Sequence, residues 1–153
     1  MTELVEKPKS VELLTFKLGQ QEYSLDIMCV REIRGWTQAT PLPHAPSYMK
    51  GVINLRGTVL PVIDLAQRLG LPVTEQSDRN VIIVVKHDDT LAGLLVDAVS
   101  DIIALEDDDM KPPPDAAVGS QAGVVKSITL IDDRMIRALE LSHLVTKFHE
   151  DAA

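Results

Sequence analysis

Apolar positions along the chain fall in short runs broken by glycine, proline and acidic clusters, the signature of many short strands and few helices. From Leu13, LTFKLGQQEYSLDIMCVREI predicts two strands around a Gly19-Gln20-Gln21-Glu22 turn. The segment RGWTQATPLPHAP, with three prolines and one glycine, predicts a loop. SYMKG then predicts a short helical turn, with Ser47 as N-cap and Gly51 just past its end. Residues 51–65 predict a hairpin about an Arg56-Gly57 connection, and Pro61, which lacks an N–H, predicts that its second strand is an edge or is bulged. DLAQRLGLP predicts a compact helix with Asp64 as N-cap, Gln67 completing a capping box, Gly70 as C-cap and Pro72 as stop.

In the second half, NVIIVVKHDDTLAGLLVDAVSDIIAL predicts a buried strand, an Asp88-Asp89 turn and a second long strand bent by a bulge at Gly93. EDDDMKPPPDAAVGSQAG predicts an exposed connector. The end, VVKSITLIDDRMIRALELSHLVTKF, predicts a hairpin around Asp132-Asp133 and then a C-terminal helix or helical turn. The halves also rhyme. YSLDIMCVREI (23–33) aligns with AGLLVDAVSDI (92–102), setting Val30 over Val99 and Glu32 over Asp101. GTVLPVIDL (57–65) aligns with DRMIRALEL (133–141), setting Asp64 over Glu140. Short strands duplicated at about half the chain length predict two small β-barrels in place of one sandwich.

Charge narrows the function. With 23 acidic and 15 basic side chains, the net charge of −8 would repel nucleic acid and anionic lipid. The one cysteine, Cys29, excludes an intramolecular disulfide. MTELVEKPKS has no signal-peptide core and VIIVV is too short to span a bilayer, so the expectation is a soluble, intracellular protein without direct membrane insertion.

Catalytic templates find no match: there is no G-x-S-x-G, Walker A or G-x-G-x-x-G motif, and the four histidines lack zinc-ligand spacing. Asp64 and Glu140 could be paired carboxylates of a hydrolase, but the place of Asp64 at the head of DLAQRLG favours helix capping. Glu106 to Asp109 read as a solvated loop before a cation site, and Cys29 as a core thiol. Trp36 has two readings, an exposed interface anchor or a cover over a barrel end. Arg56 also has two, a solubilising charge at a turn or a partner for the carboxylate of Glu32.

In order and spacing, LTFKLGQQEYSLDIMCVREIRG, KGVINLRGTVLPVIDL and VIIVVKHDDTLAGLLVDAVSDII resemble the CheW family of chemotaxis coupling proteins, from about Leu13 to Val145. The resemblance implies a mainly β fold: two SH3-like five-stranded β-barrels around a shared core, with short helices. Residues 1–12 would then be a flexible lead-in, and 13–149 a single domain of two intertwined barrel subdomains. It implies a non-enzymatic adaptor without cofactor or metal, which joins the cytoplasmic tip of a methyl-accepting chemoreceptor to the regulatory domain of the histidine kinase CheA. Other CheW-like domains in arrays are further implied partners, and the implied location is the cytoplasm, recruited to membrane-associated receptor arrays. Carried over from the family's motifs, Glu32 and Arg56 form a polar pair at the receptor contact, and Val30, Val81, Val99 and Ile102 line the receptor groove. Ile53, Leu55 and Val59 would face the kinase. Asp132-Asp133 and Arg137 depart from the family pattern, which usually shows a glycine-bearing turn and a cleanly apolar strand. Two other readings stay open at this point: a coupling protein of a non-flagellar CheA-like pathway, and a duplicated-barrel hydrolase using Asp64 and Glu140.

Overall fold

The computed structural model describes residues 10–72, 79–113 and 123–145. Ten strands run through them: β1 (Ser10–Leu18), β2 (Gln21–Asp26), β3 (Val30–Gly35), β4 (Met49–Leu55), β5 (Thr58–Asp64), β6 (Val81–His87), β7 (Thr90–Val96), β8 (Ala98–Glu106), β9 (Val125–Ile131) and β10 (Arg134–Leu139). One short helix, α1 (Leu65–Arg68), follows β5. The first strand takes in residues 10–12, expected in the lead-in, because Ser10, Val11 and Glu12 find partners on β8.

The strands form two five-stranded sheets, ordered β8-β1-β2-β10-β9 and β3-β6-β7-β5-β4. The first, the terminal barrel, uses both ends of the chain, and the second, the central barrel, uses the middle. Exchanging β1 for β6, β2 for β7, and β8, β9, β10 for β3, β4, β5 turns one order into the other. Each sequence repeat therefore gives its first two strands to one barrel and its last three to the other. The single long strand expected over residues 90–105 is in fact two strands in different sheets, parted at Asp97. There Asp97 N–H donates to the Lys17 carbonyl at 3.1 Å and its carboxylate accepts from Gly19 N–H at 2.6 Å.

A sheet of this kind has two open edges, and each barrel joins them in the same way. Beyond β3, Thr40 exchanges backbone hydrogen bonds of 2.8 and 2.9 Å with Val52 on β4. Beyond β8, Lys111 does the same with Ile128 on β9, at 3.0 and 2.8 Å. Joining the edges removes unpaired strand backbone that would otherwise recruit other chains.

The core follows from this swap. The larger cluster draws Leu14, Phe16, Tyr23 and Val125 from the terminal barrel together with Ile63, Ile83, Val85 and Leu94 from the central one. A second cluster, with Ile53, Leu55, Leu60, Val62, Ile82, Val84 and Leu95, fills the central barrel alone. Strand β6 sends Ile82 and Val84 into one cluster and Ile83 and Val85 into the other, so the run VIIVV is apolar on both faces. Trp36 is half-buried and packs on the second cluster, as the covering reading expects.

Local chemistry agrees at the hairpins. Arg56 and Gly57 both have positive φ, 51° and 86°, as a tight two-residue turn needs, and the Asn54 side chain accepts from Gly57 N–H at 2.9 Å. Asp64 caps α1 by accepting from Gln67 N–H at 3.2 Å, but the reciprocal half of the expected capping box is missing because Asp64 N–H donates to the Tyr48 carbonyl. Three expectations change. SYMKG does not form a helical turn, since β4 has already begun at Met49. Pro61 sits on an interior strand, tolerated because pairing of β5 with β7 starts only at Val62. Gly93 is not a bulge: β7 keeps unbroken register with β6, and a Cβ there would meet Ile82 Cγ2 at 2.8 Å. Of the C-terminal segment, a 3-10 turn at Leu141–His143 is present, and residues after Val145 lie outside those described.

Gly51 tests the closure of the central barrel. Its φ is 144°, and a Cβ on it would fall on the Thr40 carbonyl that accepts from Val52. Gly51→Ala is expected to lower unfolding stability by about 3 kcal/mol in a denaturant titration, whereas Gly35→Ala, with open space around it, costs under about 1 kcal/mol.

Candidate functional site

Strand β3 reads VREIRG, and its residues alternate between half-buried and exposed. Val30 pairs with Val85 but Glu32 pairs with Val84, so β3 carries one extra residue just before the glutamate. Such a bulge twists the strand and re-aims the side chain that follows. Glu32 is thereby turned toward the β4–β5 hairpin, where Arg56 Nη2 donates to its Oε1. Its other oxygen accepts from Arg34 Nη1 at 3.4 Å. As β3 and β4 are the two edges of the sheet, the Glu32–Arg56 pair spans the barrel's seam.

The hydrogen bond and charge of Arg56 hold the Glu32 carboxyl below its ordinary range, and Glu32 raises Arg56 in turn. The Arg56 side chain is nonetheless 71% exposed, so most of the guanidinium faces solvent. An exposed ion pair of this kind adds little to folding and leaves donors free for another acceptor.

The apolar candidates are placed unequally. Val30, Val81 and Val99 are half-buried and pack on the larger core cluster, whereas Ile102 on β8 is exposed. The expected kinase-facing residues divide as well. Ile53 and Leu55 have their side chains inside the central barrel, and of the three only Val59, at 64% exposure, stands on the surface. The reason is the alternation of β4, which turns Ile53 and Leu55 inward and leaves Asn54 outward, opposite Val59. Sequence reasoning passed over Ile33, an exposed isoleucine beside Glu32. The signal was available, since it breaks the period-two pattern of β3 on the outer face.

Asp64 ends β5 and Glu140 directly follows β10, and these strands belong to different barrels. Asp64 caps α1 and lies 4.0 Å from Lys50; Glu140 accepts from the Ser142 hydroxyl at 3.1 Å. Each carboxylate is engaged locally, and nothing in this arrangement supports a paired acid and base. Cys29 is half-buried against the core, and burial pushes its thiol pKa up, away from the reactive thiolate. Among the described residues, no group of three or more His, Cys, Asp or Glu side chains could hold a metal ion, and no helix is long and apolar enough to cross a membrane.

Comparison with known proteins gives a consistent picture. The family model for the CheW-like domain matches residues 12–149. The chain is 48% identical over 142 residues to the chemotaxis protein CheW of Rhizobium meliloti, covering 93% of this chain and 92% of that one. It is 49% identical over 142 residues, with the same coverage, to a probable chemotaxis protein CheW of Rhizobium etli. Among solved structures, the scaffolding protein TtCheW from Thermoanaerobacter tengcongensis superimposes with a TM-score of 0.80 at 34% identity, over 90% of this chain and 88% of that one.

The ion pair makes a prediction about acid. Glu32 has a lowered folded pKa, so the pair is intact above the ordinary glutamate pKa of about 4.3 and is lost only as pH falls through the lower folded value. Carboxyl NMR titration should place Glu32 below about 4.3, and Arg56→Ala should raise it toward that value. A wild-type midpoint at or above 4.3 would show that the pair does not form in solution.

Proposed function

The chain belongs to the CheW-like family, and on that premise we propose that it is a non-catalytic chemotaxis adaptor coupling the cytoplasmic tip of a chemoreceptor to the histidine kinase CheA. The observation that carries the receptor side of this reading is the Glu32–Arg56 pair. The pair is held in place by a bulge and a tight turn and is exposed at the seam of the central barrel, on a strand whose other face presents the exposed Ile33. A partly exposed guanidinium beside aliphatic surface suits a receptor helix that offers a carboxylate or a backbone carbonyl among apolar side chains. Val30, Val81 and Val99 shape the neighbouring surface and Ile102 adds an exposed aliphatic group. On the kinase side, Val59 is the contact residue, while Ile53 and Leu55 act by packing beneath the hairpin that presents it.

An adaptor of this kind works by geometry. It holds receptor and kinase in a fixed relation, so that a shift in the receptor helices changes the balance of active and inactive kinase. The swapped barrels and their shared core suit that task, since neither barrel can yield without disturbing the other. Working in the cytoplasm at the membrane-associated receptor arrays, such a protein needs neither a cofactor nor a membrane anchor of its own.

Arg56→Ala should remain folded, with a melting temperature within about 3 °C of wild type, and bind a receptor-tip fragment at least about tenfold more weakly. Wild-type affinity from the folded variant would refute the receptor contact. Val59→Asp should weaken capture of the kinase regulatory domain at least about tenfold while leaving receptor-tip binding unchanged. Equal loss of both would show that Val59 does not face the kinase.

A further inference from the structure

The repeat that sets Glu32 over Asp101 is obeyed by the backbone. Val99 pairs with Phe16 and Ile102 with Leu14, so β8 also carries one extra residue at its acid, Ser100 and Asp101 together facing the single Thr15, where β3 carries Arg31 just before Glu32. Asp101, like Glu32, receives an arginine from the hairpin of its own barrel. Here the likeness ends. Arg56 reaches a single oxygen of Glu32. Arg134, the first residue of β10, donates from Nε to Glu22 Oε1 at 3.0 Å, from Nη2 to Glu22 Oε2 at 2.5 Å, and from Nη2 to Asp101 Oδ1 at 3.2 Å. The Glu22 side chain on β2 is 10% exposed. Asp101 Oδ1 also accepts from the hydroxyl of the fully buried Thr15 on β1, and Asp101 N–H donates back to Thr15 Oγ1 at 3.1 Å.

One guanidinium therefore ties together β2, β8 and β10, and through Asp101 reaches β1. Its Nε and Nη2 are engaged by two carboxylates, so it is poorly placed to exchange its partners for those of an incoming protein. The next residue after Asp101 is Ile102, exposed on an edge strand whose bulge is otherwise held only from β1, by backbone pairing and the Thr15 hydroxyl.

We infer that Arg134 is a positioning residue for the receptor-facing edge of the terminal barrel: without touching the receptor, it clamps the β8 bulge and so presents Ile102 in one place. The two arginines have divided the work of the repeat, Arg56 as the exchangeable contact and Arg134 as the fixed brace. This rests on the receptor role proposed above for Ile102.

The test uses the full chain and a receptor-tip fragment, with Arg134→Lys, Asp101→Asn, Ile102→Ala and the doubles with Ile102→Ala. Lysine keeps the charge but cannot bridge Glu22 and Asp101 with a fork. Asp101→Asn retains the Glu22–Arg134 fork, and so keeps the question open to experiment should the lysine variant fold poorly. Both substitutions should speed amide exchange in residues 100–104 about tenfold, leave β3 unchanged, and weaken receptor binding about tenfold. In the Ile102→Ala background each should cost less than about twofold, because the side chain being positioned is gone. A merely structural role would give additive losses, and that result overturns the inference. Wild-type binding by folded Arg134→Lys and Asp101→Asn, beside weakened Ile102→Ala, overturns it while leaving the receptor site intact. Wild-type binding by both Ile102→Ala and Arg56→Ala overturns the receptor site itself, and the inference with it.

Discussion

Everything on this molecule's surface depends on how its two sheets are closed. An open five-stranded sheet leaves two rows of unpaired backbone groups, and an open edge on an adaptor would pair with any extended chain it met. Here the segment beyond each crossing edge strand curls over and bonds to the opposite edge, Thr40 to Val52 and Lys111 to Ile128. Each barrel then pairs an acid on one edge strand with an arginine from a hairpin, Glu32 with Arg56 and Asp101 with Arg134. The backbone bonds close the barrels, and the ion pairs put polar, directional chemistry where closure has left side chains exposed.

The swap of strands between the repeats gives this closure its mechanical character. Because β2 leads directly into β3 and β7 into β8, the chain leaves one barrel and enters the other with little slack. The larger apolar cluster is built from both barrels, so separating them would expose Phe16, Tyr23, Ile83 and Leu94 to water at about 25 cal/mol per Å² of apolar surface. Moving one barrel against the other therefore means disturbing a core that both share.

The two seams also show how a duplicated plan acquires distinct parts. Both barrels keep the bulge, the acid and the hairpin arginine. In the central barrel the arginine stays at the turn, largely exposed, with one carboxylate partner. In the terminal barrel the arginine enters the strand beside a buried glutamate, which engages its Nε and Nη2 and leaves its side chain 36% exposed, about half as much as that of Arg56. Arg137, the departure from the family pattern on the same strand, is accommodated by lying over the buried Tyr23 ring, 5.8 Å from its centroid.

Much of this was legible in the chain as written. Hairpin turns announce themselves through residues that tolerate positive φ, and Arg56-Gly57, Asp88-Asp89 and Asp132-Asp133 all lie where the spacing put them. The repeat set Glu32 over Asp101 and Asp64 over Glu140, and the backbone follows it. These features depend on neighbours a few residues apart, which local periodicity and turn chemistry report directly. What the sequence by itself could not determine is which strands share a sheet. The run from Thr90 to Leu105 reads as one strand because each half is locally extended, and only the tertiary structure parts it at Asp97 and sends the halves to different barrels. That choice places Pro61 on an interior strand, turns Ile53 and Leu55 inward and Val59 outward, and brings Glu22, Asp101 and Arg134 together from three distant segments. Pairing partners and strand facing are properties of the closed sheet, set by burial across long sequence separations, and so only the folded molecule decides them.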